Sequence, residues 1–233
     1  MLVGGDQPLE GRGRDLLSTA TTLAYLHGFA SGPTSTKAQF FRAQLADLGA
    51  TLEIPDLAPD FTHMTMSGQL AAVDGILARG PAVLLGSSLG GYLAALAAAR
   101  NPDRVRGLVL FAPAFGFAAR WEARVGPAAM ARWRAEGVLS VFHYGRGREE
   151  PLSIAFLDDA RRYPDEPDPR CPALVFAGRH DDAVPLAAVE RFASARAGRE
   201  LVVLDAGHEL VEVLEPMWER TAAFLRRMGA VER

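Results

Sequence analysis

Apolar residues along the chain alternate between two spacings. Thr22–Leu26, Ala82–Leu85, Gly107–Phe111, Ala173–Ala177 and Leu201–Leu204 are short, nearly unbroken apolar runs, and Thr51–Ile54 is a brief one closed by Pro55. Such runs predict strands buried on both faces of a parallel sheet. Between them the spacing changes to three and four. Phe41, Leu45 and Leu48 predict a helix over Phe40–Leu48, stopped by Gly49, and Leu70, Val73 and Leu77 predict one over Ser67–Ala78. Leu89–Arg100 is an Ala/Leu-rich helix, and two more are predicted near Leu186–Ala195 and Glu212–Arg227. Strands alternating with helices predict an α/β fold, a mostly parallel sheet of about six strands with helices on both faces.

One interval breaks the alternation. About sixty residues separate Phe111 from Ala173, far more than a crossover needs. They include Phe115, Phe117, Trp121, Trp133, Phe142 and Tyr144, so the segment from about 113 to 170 reads as a helical lid with an apolar inner face. An extra helical hairpin packed on the core would leave the same pattern. The Pro- and acid-rich YPDEPDPRCP returns the chain to the core without marking a boundary between domains. Residues 1–20 mix glycines with charges and lack a secretory or transit pattern, so they read as a loose tail before a single domain over 21–233.

Composition narrows the field. The chain has 233 residues, 49% of them hydrophobic, and a net charge of −3, which offers no general attraction for nucleic acid or anionic lipid. Gly80–Ala99 carries no charge, but its GSSLGGY centre suits a strand, turn and helix better than a membrane span. With one cysteine, Cys171, and no ligand-spaced pair, neither an internal disulfide nor a metal site is expected. Gly11-Arg12-Gly13 and Gly145-Arg146-Gly147 lack the third glycine and the strand context of a dinucleotide turn, so no cofactor is expected. Together these features predict a cytoplasmic globular protein with a small-molecule partner. The basic residues are arginines except for Lys37, which reads as an exposed residue at a helix start.

Gly86-Ser87-Ser88-Leu89-Gly90 is the strongest chemical signal. A G-x-S-x-G turn between a strand and a helix lifts its serine above the sheet, and the glycines Gly86 and Gly90 fix the register on Ser88. A serine hydroxyl needs a base, and the chain order for such a site is serine, acid, histidine. His208 follows the strand Leu201–Leu204 in a D-A-G-H turn, at a strand C-terminus where open α/β sheets build their sites. The acid should follow Ala173–Ala177, where Asp181 and Asp182 are adjacent competitors, and Asp205 is a more distant candidate. Two backbone N–H groups should receive the oxyanion. One is that of Leu89 after the nucleophile, and the other is that of Phe29 in the loop after Thr22–Leu26.

These segments resemble the α/β-hydrolase superfamily. YLHGFASGPTSTKA (25–38), LLGSSLGGYLAALAA (84–98), CPALVFAGRHDDAVP (171–185) and DAGHEL (205–210) carry the likeness in the superfamily's order. The first two resemble YqiA-type carboxylesterases. The long middle and the G-x-x-D-D-x-V-P segment resemble depalmitoylating acyl-protein thioesterase-like hydrolases. In the superfamily pattern G-x-x-D-x-x-V-P the acid is the aspartate three residues after glycine, which maps onto Asp181. The loop reads His-Gly-Phe and not His-Gly-Gly, so the resemblance does not extend to the glycine-rich lipases. It implies an esterase or thioesterase acting through an acyl-enzyme on Ser88. A non-hydrolytic or a C–C-bond-cleaving relative would share this machinery, and an idle ligand-binding member would be expected to lack part of it.

Overall fold

The computed structural model describes residues 21–232, so the expected tail over 1–20 lies outside the described residues. The chain enters through strand β1 (Thr22–Leu26), helix α1 (Thr36–Asp47), the very short strand β2 (Leu52–Glu53) and helix α2 (Met66–Leu77). Strand β3 (Ala82–Ser87), helix α3 (Leu89–Arg100) and strand β4 (Val105–Phe111) follow. After β4 come helices α4 (Phe117–Val125) and α5 (Pro127–Glu136), strands β5 (Val138–His143) and β6 (Arg148–Ser153), and helix α6 (Ala155–Ala160). The chain ends with strand β7 (Ala173–Gly178), helix α7 (Leu186–Ser194), strand β8 (Arg199–Leu204) and helix α8 (Leu214–Arg227). Six of the strands form one sheet in the order β2-β1-β3-β4-β7-β8, with every neighbouring pair parallel.

Alternate residues of each strand feed two cores. Ala24, Leu84, Leu108, Leu110 and Val175 face a core shared with α2, α3 and α7, whereas Tyr25, Val83, Leu85, Val109 and Phe176 face one shared with α1 and α8. Burial on both sides is why β3 is buried at every position and why its sequence is continuously apolar. Local signals set the helix ends. Thr65 Oγ1 accepts from the Gly68 N–H at the start of α2, and Gly49 sits at a φ of 72° just beyond α1, where a side chain would be strained.

The insertion is not purely helical. Its helices α4, α5 and α6 are joined by an antiparallel β5–β6 hairpin. Trp133 on α5 is fully buried, and its Nε1–H donates to the Leu152 carbonyl at 2.9 Å, tying helix to hairpin. The sequence hides β6 because Arg148, Glu149, Glu150 and Pro151 read as a charged loop. The buried Glu150 carboxylate is matched by Arg146 and Arg148, at 3.0 and 2.7 Å. Among the described residues no helix is long and apolar enough to cross a membrane.

Candidate active site

β3 delivers Ser88 on a turn that only small neighbours allow. Ser88 has φ 52° and ψ −115°, a strained conformation that raises its side chain off the sheet. A Cβ at Gly90 would stand 2.0 Å from the Leu26 carbonyl oxygen, and one at Gly86 would stand 2.4 Å from that of Gly90. Both contacts are with backbone, so neither glycine can be exchanged without moving the turn. The same constraint recurs after β7. A Cβ at Gly178 would lie 2.4 Å from the Gly207 carbonyl oxygen, so this glycine lets the loop after β7 approach the loop carrying His208.

These close approaches bring three distant side chains into one hydrogen-bonded row. Ser88 Oγ lies 2.9 Å from His208 Nε2, and His208 Nδ1 lies 2.8 Å from Asp181 Oδ2. The other carboxylate oxygen of Asp181 accepts the N–H groups of Ala183 and Val184 at 2.8 and 2.7 Å. Burial raises the Asp181 carboxyl, but its hydrogen bond and attraction to His208, with the two backbone donors, outweigh burial and hold it below the ordinary carboxylate value. Asp182 is exposed, and Asp205 is occupied by His180 at 2.7 Å. The structure thus brings Asp181, and neither competitor, to the histidine.

Leu89 opens α3, where its N–H has no intrahelical acceptor. Phe29 lies on the loop after β1, and Gly28 beside it comes close enough that a Cβ there would meet the Ser88 Cβ at 3.5 Å. His27 anchors that loop. Its Nδ1–H donates to the Gly28 carbonyl at 3.0 Å and its Nε2 accepts from the Leu57 N–H at 3.0 Å, a pair that requires the neutral ring. Burial lowers its pKa, against the pull of the Gly28 carbonyl and Asp56. A depressed histidine stabilises the fold fully above its unfolded value of about 6.5, and that contribution is lost as pH falls below it. Melting temperature is therefore expected to drop between pH 7 and pH 5, with a shallower slope for His27→Gln. Identical slopes would remove His27 from the account.

The row opens into a cleft of about 1060 Å³. Its walls include Phe29, Phe117 and Trp121, and the hairpin contributes Phe142 and Tyr144. Phe29 contacts Trp121 with ring centroids 4.6 Å apart, so the loop after β1 and α4 form a continuous aromatic wall. Lys37 also faces the cleft, and the expectation of an exposed residue is corrected. It is only 6% exposed, its Nζ donates to the Glu209 carbonyl, and it lies 3.6 Å from the Glu209 carboxylate. Lys37 thereby ties the start of α1 to the residue after His208. The two are 172 positions apart, a separation that no local pattern in the sequence reveals.

A six-stranded parallel sheet with a serine turn after β3 and with acid and histidine loops after β7 and β8 defines an α/β-hydrolase fold. Residues 22–226 match the uncharacterised protein family UPF0227, and the chain belongs to that family, in keeping with its YqiA-type segments. Solved structures share the fold. α/β-Hydrolase domain-containing protein 10 from mouse is 20% identical, with 89% of this chain and 90% of that chain covered and a TM-score of 0.74. Est1E from Butyrivibrio proteoclasticus with bound ferulic acid is 19% identical, with 91% of each chain covered and a TM-score of 0.75. A hydrolase described as putative from Agrobacterium vitis S4 is 24% identical, with 90% and 88% covered and a TM-score of 0.72. No curated protein matches the sequence.

Proposed function

We propose that this protein is a serine hydrolase that cleaves carboxylic esters or thioesters through an acyl-enzyme on Ser88. The observation that carries the reading is the Ser88–His208–Asp181 row at the floor of an aromatic cleft, with hydrogen bonds of 2.9 and 2.8 Å. Neutral His208 donates its Nδ1–H to Asp181 and accepts the Ser88 proton at Nε2 as Oγ attacks the carbonyl carbon. The Phe29 and Leu89 N–H groups receive the developing oxyanion. As the tetrahedral adduct collapses, the imidazolium passes its proton to the departing alcohol or thiol, leaving Ser88 acylated. Water then attacks with His208 as base, and the carboxylic acid leaves.

The bound ferulic acid of the Est1E structure lends support by analogy, since that fold accommodates an aromatic acid. We further propose that 21–233 acts as one domain and that the segment over about 113–170 serves as its lid, supported by the aromatic face that α4 turns to the cleft. A cytoplasmic setting belongs to the same proposal, supported by the lone free thiol of Cys171. A fluorophosphonate probe is expected to label Ser88 stoichiometrically. 4-Nitrophenyl esters from acetate to palmitate are expected to be turned over, with the best chain length reporting the cleft's depth. Folded protein that neither reacts with the probe nor turns over any ester would overturn the reading.

A further inference from the structure

Helix α4 lays a stripe along the cleft in which Phe117, Trp121 and Val125 alternate with Arg120 and Arg124. The spacings of three, four and seven put all five on one helical face. Of the two charged residues on this otherwise apolar stripe, Arg124 is exposed at the rim and Arg120 is partly withdrawn from solvent.

Arg120 is half-buried, and burial holds its guanidinium below its ordinary pKa, with Asp181 and Asp165 opposing only through space. Other arginines whose side chains lie along the core are largely bonded, although the buried Arg199 Nε has no partner among the described residues. Arg199 bonds to Asp168 and to the Phe192 and Pro169 carbonyls, and Arg146 bonds to Glu150 and to the Ala58 and Pro59 carbonyls. Arg120 and Arg124 form no ion pair among the described residues. The carboxylates near the cleft do not fill the gap. Asp181 is committed to His208, Glu209 to Lys37 and Glu212 to the Gly207 N–H, while exposed Asp182 forms no ion pair with either arginine. The Trp121 Nε1–H of the same helix is buried and has no acceptor among the described residues. Arg120 thus lines the cleft with a half-buried guanidinium that has no ion pair among the described residues. A guanidinium can only donate, so it calls for a ligand with acceptor oxygens and negative charge.

We propose that the substrate of this site carries an anionic group, a carboxylate or a phosphate, received by Arg120 with Arg124 at the rim. This rests on the serine-hydrolase reading and narrows it to acidic esters or thioesters. The aromatic neighbours Phe29 and Phe117 fit an apolar stem between the anion and the scissile carbonyl.

The test compares matched esters that differ only in charge. 4-Nitrophenyl hydrogen adipate against its methyl ester places the anion on the acyl side. 4-Acetoxybenzoate against its methyl ester places it on the leaving group, and 4-acetoxyphenyl phosphate presents a phosphate there. In at least one comparison kcat/KM is expected to favour the anion by about tenfold or more, a factor in keeping with a charge-assisted hydrogen bond. That ratio should collapse in Arg120→Met and recover in part in Arg120→Lys. An unchanged ratio in Arg120→Met, or no preference in any pair, overturns the proposal while leaving the hydrolase reading intact. Calorimetric binding of monomethyl adipate to wild type and Arg120→Met covers the case in which no ester is turned over. Binding weakened by about tenfold in the variant supports the anion site even if the hydrolase reading fails. Equal binding, or none to either protein, overturns it.

Discussion

Replacing Ser88 by alanine is expected to lower kcat for 4-nitrophenyl ester hydrolysis by on the order of 10⁴-fold or more. Ser88 Oγ is the nucleophile of the proposed reaction, so its loss removes the covalent step and leaves only the binding groups and the oxyanion N–H donors. The variant should fold. Alanine keeps the Cβ of serine and so adds no steric demand at the turn, and Ala30 and Ala112 already adopt positive φ values of 50° and 45° in this protein. Among the described residues the hydroxyl removed bonds only to His208. Thermal unfolding should therefore stay close to wild type while fluorophosphonate labelling disappears. Ester turnover that survives in Ser88→Ala at the wild-type rate would sink the mechanism, and a collapse of the melting temperature would instead mark Ser88 as structural.

What the sequence discloses, and what it does not, follows from the range of the interactions. β3 and β7 are legible because burial on both faces leaves no polar position, and the Ser88 turn is legible because steric crowding demands Gly86 and Gly90. His208 is legible because a strand's C-terminal end marks where a parallel sheet gathers its chemistry. The choice between Asp181 and Asp182 is not visible in residue type, and only the resemblance points to Asp181. It depends on which carboxylate the turn 181–184 points at His208, and the bonds from Ala183 and Val184 to Asp181 settle that orientation. The β5–β6 hairpin stays hidden because an edge pair needs few apolar residues, and β6 meets the need with a buried glutamate held by arginines. Lys37 stays hidden because its partner is distant in sequence. Arg120 and Arg124 were within reach, since the α4 stripe has helical spacing, but arginine is so abundant in this chain that two more carry no signal until a cleft is seen beneath them.

Asp181→Asn is expected to cost about 10³–10⁴ in kcat with a much smaller change in KM. The amide oxygen can take over the N–H groups of Ala183 and Val184, so the turn survives. The amide nitrogen then occupies the place of Oδ2, 2.8 Å from His208 Nδ1. It is a donor, and it selects the tautomer whose Nδ1 accepts and whose Nε2 carries the proton. That proton points at Ser88 Oγ, and the imidazole can no longer accept the serine's hydrogen. Asp182→Asn changes no bond in the row and should reduce kcat far less, so the two variants separate a charge lost from the loop and an orientation lost at the histidine. The sign of the acid limb adds a check. Because Asp181 is held below the ordinary carboxylate value, its ionised form and the stability it contributes are complete above about 3.9 and are lost only as pH falls through the lower folded value. Activity that declines at mildly acidic pH must therefore reflect protonation of a group other than Asp181, and the same decline should remain in Asp182→Asn. A loss of similar size in both aspartate variants would show that the negative charge of this loop matters and that the alignment of Asp181 with His208 does not.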